Sequence, residues 1–141
     1  MVITMIICYF AKLNVLKYTA VKINPLASKR MSLIDEVTDK DLRMLVYKHD
    51  YVMVKFIDDQ CPVCKELEPA YHDFTLNHDY MDIQFMRMNS SENPVSRRQV
   101  SLTGTPFIAT YYKGKLQECG LVTTASQIKD MLDRLVVHSN N

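Results

Sequence analysis

Seven consecutive residues, Tyr51-Val52-Met53-Val54-Lys55-Phe56-Ile57, constrain this chain more than any others. They are almost all apolar, aromatic or β-branched and do not alternate with polar residues, the pattern of a strand buried on both faces. A strand of that kind needs a sheet covered by helices on each side, and therefore an α/β architecture. The flanking sequence supplies the other elements. Thr38 with Asp41 three residues later marks a helix start, and Leu42, Leu45 and Val46 follow at helical spacing until Asp50 breaks the pattern. Leu67, Ala70, Tyr71 and Phe74 form the stripe of a second helix, and residues 83–88 the next strand. Asn93-Pro94 opens a short helix reaching about Ser101. Residues 107–112 and 116–122 read as strands joined by a tight hairpin at Lys113-Gly114-Lys115. Thr124 caps a last helix carrying Ile128, Met131, Leu132, Leu135 and Val136. Helices alternating with strands imply crossover units and a mixed central sheet with helices on both faces.

Charge divides the chain unevenly. Residues 1–30 hold five of its 17 basic residues and none of its 16 acids, and composition changes at Pro25, Ser28 and the pair Lys29-Arg30. A domain is therefore expected over 31–137, with an N-terminal extension at 1–30 and a short tail at 138–141. The apolar run at residues 2–11 precedes its positive charges, whereas a secretory signal places them first. Targeting and a dispensable appendage both remain open for this segment. The expected location is the cytoplasm, with organellar or exported targeting by residues 1–30 as the alternative. A net charge of +1 gives no reason to expect nucleic acid, and no apolar run is long enough for a spanning helix. Four cysteines in 141 residues do not make a disulfide framework.

Two of those cysteines carry the chemistry. Cys61-Pro62-Val63-Cys64 lies at the C-terminal end of the buried strand and the start of the second helix. A sulfur in a first helical turn faces unpaired backbone N–H groups and the positive end of the dipole, which stabilise a thiolate. Only the thiolate attacks a disulfide, so the placement makes Cys61 reactive. Two intervening residues put the second sulfur one turn away, within reach of an intramolecular disulfide. Pro62 suits the first helical position, where its missing N–H costs nothing. A zinc site would need a second such pair, and Cys8, Cys119, His72 and His78 do not supply the spacing. A pair of inert thiols is the remaining alternative.

Over residues 31–137 the chain resembles the thioredoxin family. Phe56 precedes the motif at the family's spacing, Lys65 follows it, and Pro69 lies where the family kinks this helix. Asn89, Asn93-Pro94, Gly104-Thr105-Pro106, Gly114 and Gly120 fall at the family's strand end, connecting helix, cis-proline turn, hairpin and late strand. The resemblance implies a three-layer thioredoxin-like fold, with residues 32–36 able to supply its first strand. It implies that Cys61 is the attacking thiol and Cys64 the buried resolving thiol. Thr105-Pro106 would form the loop opposite them, with a cis bond presenting the Thr105 backbone to an extended substrate segment.

Three departures from the family stand near the site. Gln60 replaces an aromatic residue, Pro62-Val63 replaces Gly-Pro, and Lys55 stands where the family buries an acid beneath the disulfide. If its amine stays charged, Lys55 stabilises thiolate and shifts the couple toward an oxidant; if neutral, it can accept the Cys64 proton. It could also snorkel past the sheet edge without touching the thiols. Asp58 and Asp59 oppose the helix dipole at Cys61, and the sequence leaves that balance open.

The expectation is a thiol–disulfide oxidoreductase using Cys61 and Cys64, with Lys55 tuning them and Pro62, Thr105 and Pro106 meeting the substrate. Its partners are protein disulfides and a reductase or other electron donor, it needs no metal or organic cofactor, and it works as a monomer in cell redox homeostasis. The alternative is a non-catalytic thioredoxin-fold binding module. Retention of both cysteines favours the enzyme; Lys55 and Gln60 lean toward the module.

Overall fold

The computed structural model describes residues 33–138. Its elements run β1 (Ile34–Glu36), α1 (Asp39–Lys48), β2 (Tyr51–Ile57), α2 (Pro62–Thr75), a 3-10 turn (His78–Tyr80), β3 (Ile83–Asn89), α3 (Pro94–Gln99), β4 (Phe107–Tyr112), β5 (Lys115–Leu121) and α4 (Ala125–Val137). The sheet order is β1-β3-β2-β4-β5, so β2 is its central strand. It pairs parallel with β3 and antiparallel with β4, and β1 adds parallel to the far side of β3. This is a mixed sheet with helices on both faces, the α/β fold read from the chain.

Alternation along β2 divides the core. Val52, Val54 and Phe56 face one way and pack with Leu42 and Val46 of α1, Met86, Met88 and Val100. Met53 faces the other way, into a cluster with Leu67 and Tyr71 of α2 and Ile128, Leu132 and Leu135 of α4. Lys55 shares that second face, which places a lysine under α2.

Three bounds differ from the sequence expectation, each for a local reason. Lys113 and Gly114 both have positive φ, 47° and 80°, and form a two-residue turn, so Lys115 already pairs with Tyr112 and β5 ends at Leu121. A side chain on Gly114 would also collide with the Tyr47 ring. Ser101 has φ 52°, and α3 stops short of it at Gln99. β3 extends to Asn89 because its pairing with β2 continues to Ile57. The 3-10 turn at His78–Tyr80 carries no apolar periodicity and was not anticipated; Asn77 caps it by accepting from the Asp79 N–H at 2.9 Å. Expectations for residues 1–30 and for tail residues 139–141 lie outside the described residues.

The starts of α1 and α3 are tied together by one carboxylate. Asp39, in the first turn of α1, accepts from the N–H groups of Val95 and Ser96 at 2.9 and 2.8 Å, while its own N–H donates to Asn93 Oδ1 at 2.8 Å. Burial raises the Asp39 pKa, but the bonds from Ser96 and Val95 outweigh it and the net shift is downward. A depressed carboxyl pKa stabilises above the unfolded value and loses that contribution as pH falls through the folded value. Asp39→Ala should therefore cost about 1–2 kcal/mol near neutral pH. Urea titrations at descending pH should show that difference closing.

Candidate active site

The end of β2 delivers the chain into a short turn, Asp58 to Gln60, and then into α2. Gln60 N–H donates to Asp58 Oδ1 at 3.1 Å and Cys61 N–H to Asp58 O at 3.1 Å, so the turn is set by the aspartate. Cys61 is then the N-cap of α2, with extended backbone (φ −103°, ψ 101°), and Pro62 takes the first helical position. Its sulfur does what a serine or aspartate oxygen does at other helix starts: it accepts the Cys64 N–H at 3.1 Å. The Cys61 and Cys64 sulfurs are bonded to each other, with Cα atoms 5.3 Å apart. Cys61 is 7% exposed and Cys64 5%. Cys61 borders a groove of about 460 Å³ that is also lined by Asp58, Gln60, Pro62, Val63 and Thr105. The Thr105-Pro106 bond is cis. Cys61, Pro62 and Thr105 thus border one groove, and Pro106 is buried behind it.

Lys55 lies elsewhere in the site, behind the helix. Its side chain is wholly buried and does not reach past the sheet edge. The ammonium donates to Glu68 Oε2 at 2.6 Å and to the Cys64 carbonyl at 3.3 Å, and lies 5.1 Å from the centre of the Tyr71 ring. Burial lowers its pKa, and the bond and charge of Glu68 oppose that shift. Arg87 of β3, the register partner of Lys55, binds the other oxygen of Glu68 and also Glu36 of β1. Signs alternate along Lys55, Glu68, Arg87 and Glu36, so no buried charge stands unpaired.

Glu68 and Arg87 adjoin the cysteine pair in the structure, and the sequence reading did not single them out. Two signals for them existed. Glu68 is four residues after Cys64, hence on the same helical face. Arg87 stands between the apolar Met86 and Met88 of β3, as Lys55 interrupts β2, and two cations on neighbouring strands call for an acid between them. Cys64, Glu68 and Arg87, with Ile57, Asp58, Asp59 and Lys65, line a second cavity of about 560 Å³. His72 and His78 are exposed and contribute nothing here. Among the described residues, no cluster of histidine, cysteine or carboxylate side chains has the arrangement to hold a metal ion.

Chemically, this is a dithiol/disulfide pair with one member at a helix start beside a groove and the other beside a cavity that opens to water. Residues 33–134 match the family model described as Thioredoxin. A thioredoxin-like protein of Fusarium culmorum is 28% identical over 85 residues, covering 59% of this chain and 70% of that protein. Putative thioredoxin-4 of Dictyostelium discoideum is 28% identical over 88 residues, covering 62% and 83%. Among solved structures, oxidised mitochondrial thioredoxin 3 of Saccharomyces cerevisiae superposes with a TM-score of 0.67 at 19% identity, covering 72% of this chain and 95% of that one.

Proposed function

Because the chain belongs to the thioredoxin family of thiol–disulfide oxidoreductases, we propose that its Cys61–Cys64 pair reduces protein disulfides and so serves cell redox homeostasis. The observation that carries the reading is the placement of Cys61: a sulfur capping α2 and bordering the groove that Thr105 also lines. The cap hydrogen bond and the helix dipole both favour negative charge on that sulfur.

In the reduced form, Cys61 thiolate attacks one sulfur of a substrate disulfide. The substrate S–S bond breaks, a Cys61–substrate disulfide forms, and the other substrate sulfur leaves as a thiolate that takes a proton from water. Cys64 then gives up its proton to water in the cavity beside it and attacks Cys61 Sγ. The second substrate sulfur leaves, and the bonded Cys61–Cys64 pair is regenerated. Two electrons have passed from the pair to the substrate, and an external dithiol or a reductase returns them. Pro62 and Val63 supply an apolar lip for the incoming segment, and the Thr105 backbone its extended pairing partner.

The test is insulin reduction by the full chain with dithiothreitol as electron source. Turnover above a Cys61→Ser control is the expected result, with Cys61→Ser falling to the uncatalysed rate. Equal rates would leave a thioredoxin-fold module that binds one partner without turnover.

A further inference from the structure

The charge chain behind Cys64 does more than fill space, and its role rests on the redox function proposed for the cysteine pair. We propose that Glu68 is a positioning residue that sets the reduction potential of the Cys61–Cys64 pair by competing with the Cys64 thiolate for the Lys55 ammonium. The ammonium bonds Glu68 Oε2 at 2.6 Å and, at 3.3 Å, the backbone carbonyl of Cys64, the residue that carries the resolving sulfur. Its four-carbon stem is held in the core, with no exposed surface and the Tyr71 ring against it, so it has nowhere else to go.

With the disulfide closed, the four groups balance. Glu68 neutralises Lys55 and shares itself with Arg87, whose remaining charge Glu36 takes up. Opening the disulfide with two electrons gives two sulfur anions, which take up protons from solvent to the extent that the site fails to stabilise them. A Cys64 thiolate thus forms on the residue whose carbonyl is held by a cation that already has a carboxylate. While Glu68 holds it, the ammonium gives the sulfur only part of its charge; with Glu68 neutral, the same ammonium becomes the thiolate's full counter-ion. Each thiolate so stabilised favours the dithiol form and makes the pair a stronger oxidant. Arg87 acts with the opposite sign. It draws Glu68 away from Lys55 and adds its own charge to the cavity wall, so its removal tightens the Lys55–Glu68 pair and disfavours thiolate. Asp58, Asp59 and Lys65 also line that cavity and set a constant background.

The experiment equilibrates the full chain with dithiothreitol or glutathione redox buffers and counts free thiols by alkylation. Glu68→Gln should move the equilibrium about tenfold toward the dithiol, which is about 30 mV for a two-electron couple. Arg87→Gln should move it the other way. In a Lys55→Met background, the Glu68→Gln shift should fall by at least half. General loosening of the site would shift both single variants in the same direction and would overturn the proposal. An unmoved Glu68→Gln, or a Glu68→Gln shift of equal size with and without Lys55, would overturn it as well. Should Glu68→Gln not fold, Arg87→Gln still decides, since a shift toward the dithiol or none contradicts the competition. No protein substrate enters the measurement. Absent insulin turnover with the expected potentials would therefore sink the proposed function and leave this inference standing.

Discussion

Replacing Lys55 with methionine raises the apparent pKa of Cys61 and slows its alkylation at neutral pH by roughly three- to tenfold. Methionine keeps the length and apolar character of the lysine stem, so the face shared with Met53 and Tyr71 stays filled. What disappears is a wholly buried positive charge one hydrogen bond from the Cys64 backbone. Glu68 remains, neutralised by its pair with Arg87. Loss of the cation is therefore the change the sulfurs feel, and it disfavours thiolate. The sign is thus fixed by geometry even though the helix start continues to favour it. Iodoacetamide rates across a pH series, on reduced parent and reduced Lys55→Met, measure the shift directly. Superimposable curves would show that the buried cation has no electrostatic hold on the thiols.

Tyr71→Ala should cost about 3–5 kcal/mol, enough to consume much of the stability of a domain this size. The ring is fully buried between α2 and the sheet, packed edge-on against Phe85 with centroids 5.5 Å apart. Its hydroxyl donates to the carbonyls of Met53 and Met86 at 3.2 and 2.8 Å, spanning the two central strands. Burial pushes the phenol pKa well up, so the group stays a neutral donor. Truncation leaves a cavity and strips a hydrogen bond from two strands at once. A thermal midpoint lower by about 10–20 °C is expected by calorimetry. Tyr71→Phe keeps the ring and loses only the hydroxyl, at about 1–2 kcal/mol. A Tyr71→Ala loss no larger than that of Tyr71→Phe would mean that the site collapses to fill the space.

The parts of the fold legible in the sequence were those with short-range causes. The run at residues 51–57 announced burial on both faces without reference to its partners. Thr124 and Pro62 at helix starts and Gly114 in a hairpin carried their own backbone geometry, and the structure uses each of them. Bounds slipped where pairing decided them: β5 begins one residue early because the turn needs only two residues, and β3 gains Asn89 from its neighbour. The site divided in the same way. Cys61, Pro62 and Cys64 are contiguous and legible from spacing. Thr105 was placed by family resemblance. Glu68 and Arg87 belong to different elements and are brought to Lys55 by a register match, Lys55 opposite Arg87, that no local pattern contains.

The sulfur that caps α2 makes one backbone proton an internal gauge of electron count. The Cys64 amide donates to Cys61 Sγ, so in the cycle proposed above its bond partner is successively a disulfide sulfur, a thiolate and a sulfur joined to substrate. These differ in the negative charge they offer, and the first turn of the helix is held most firmly when that charge is greatest. Each catalytic step therefore alters the fastening of a structural element as well as the covalent state of two side chains. A two-electron change at the cysteine pair thus reaches the backbone at the start of a helix packed against the core.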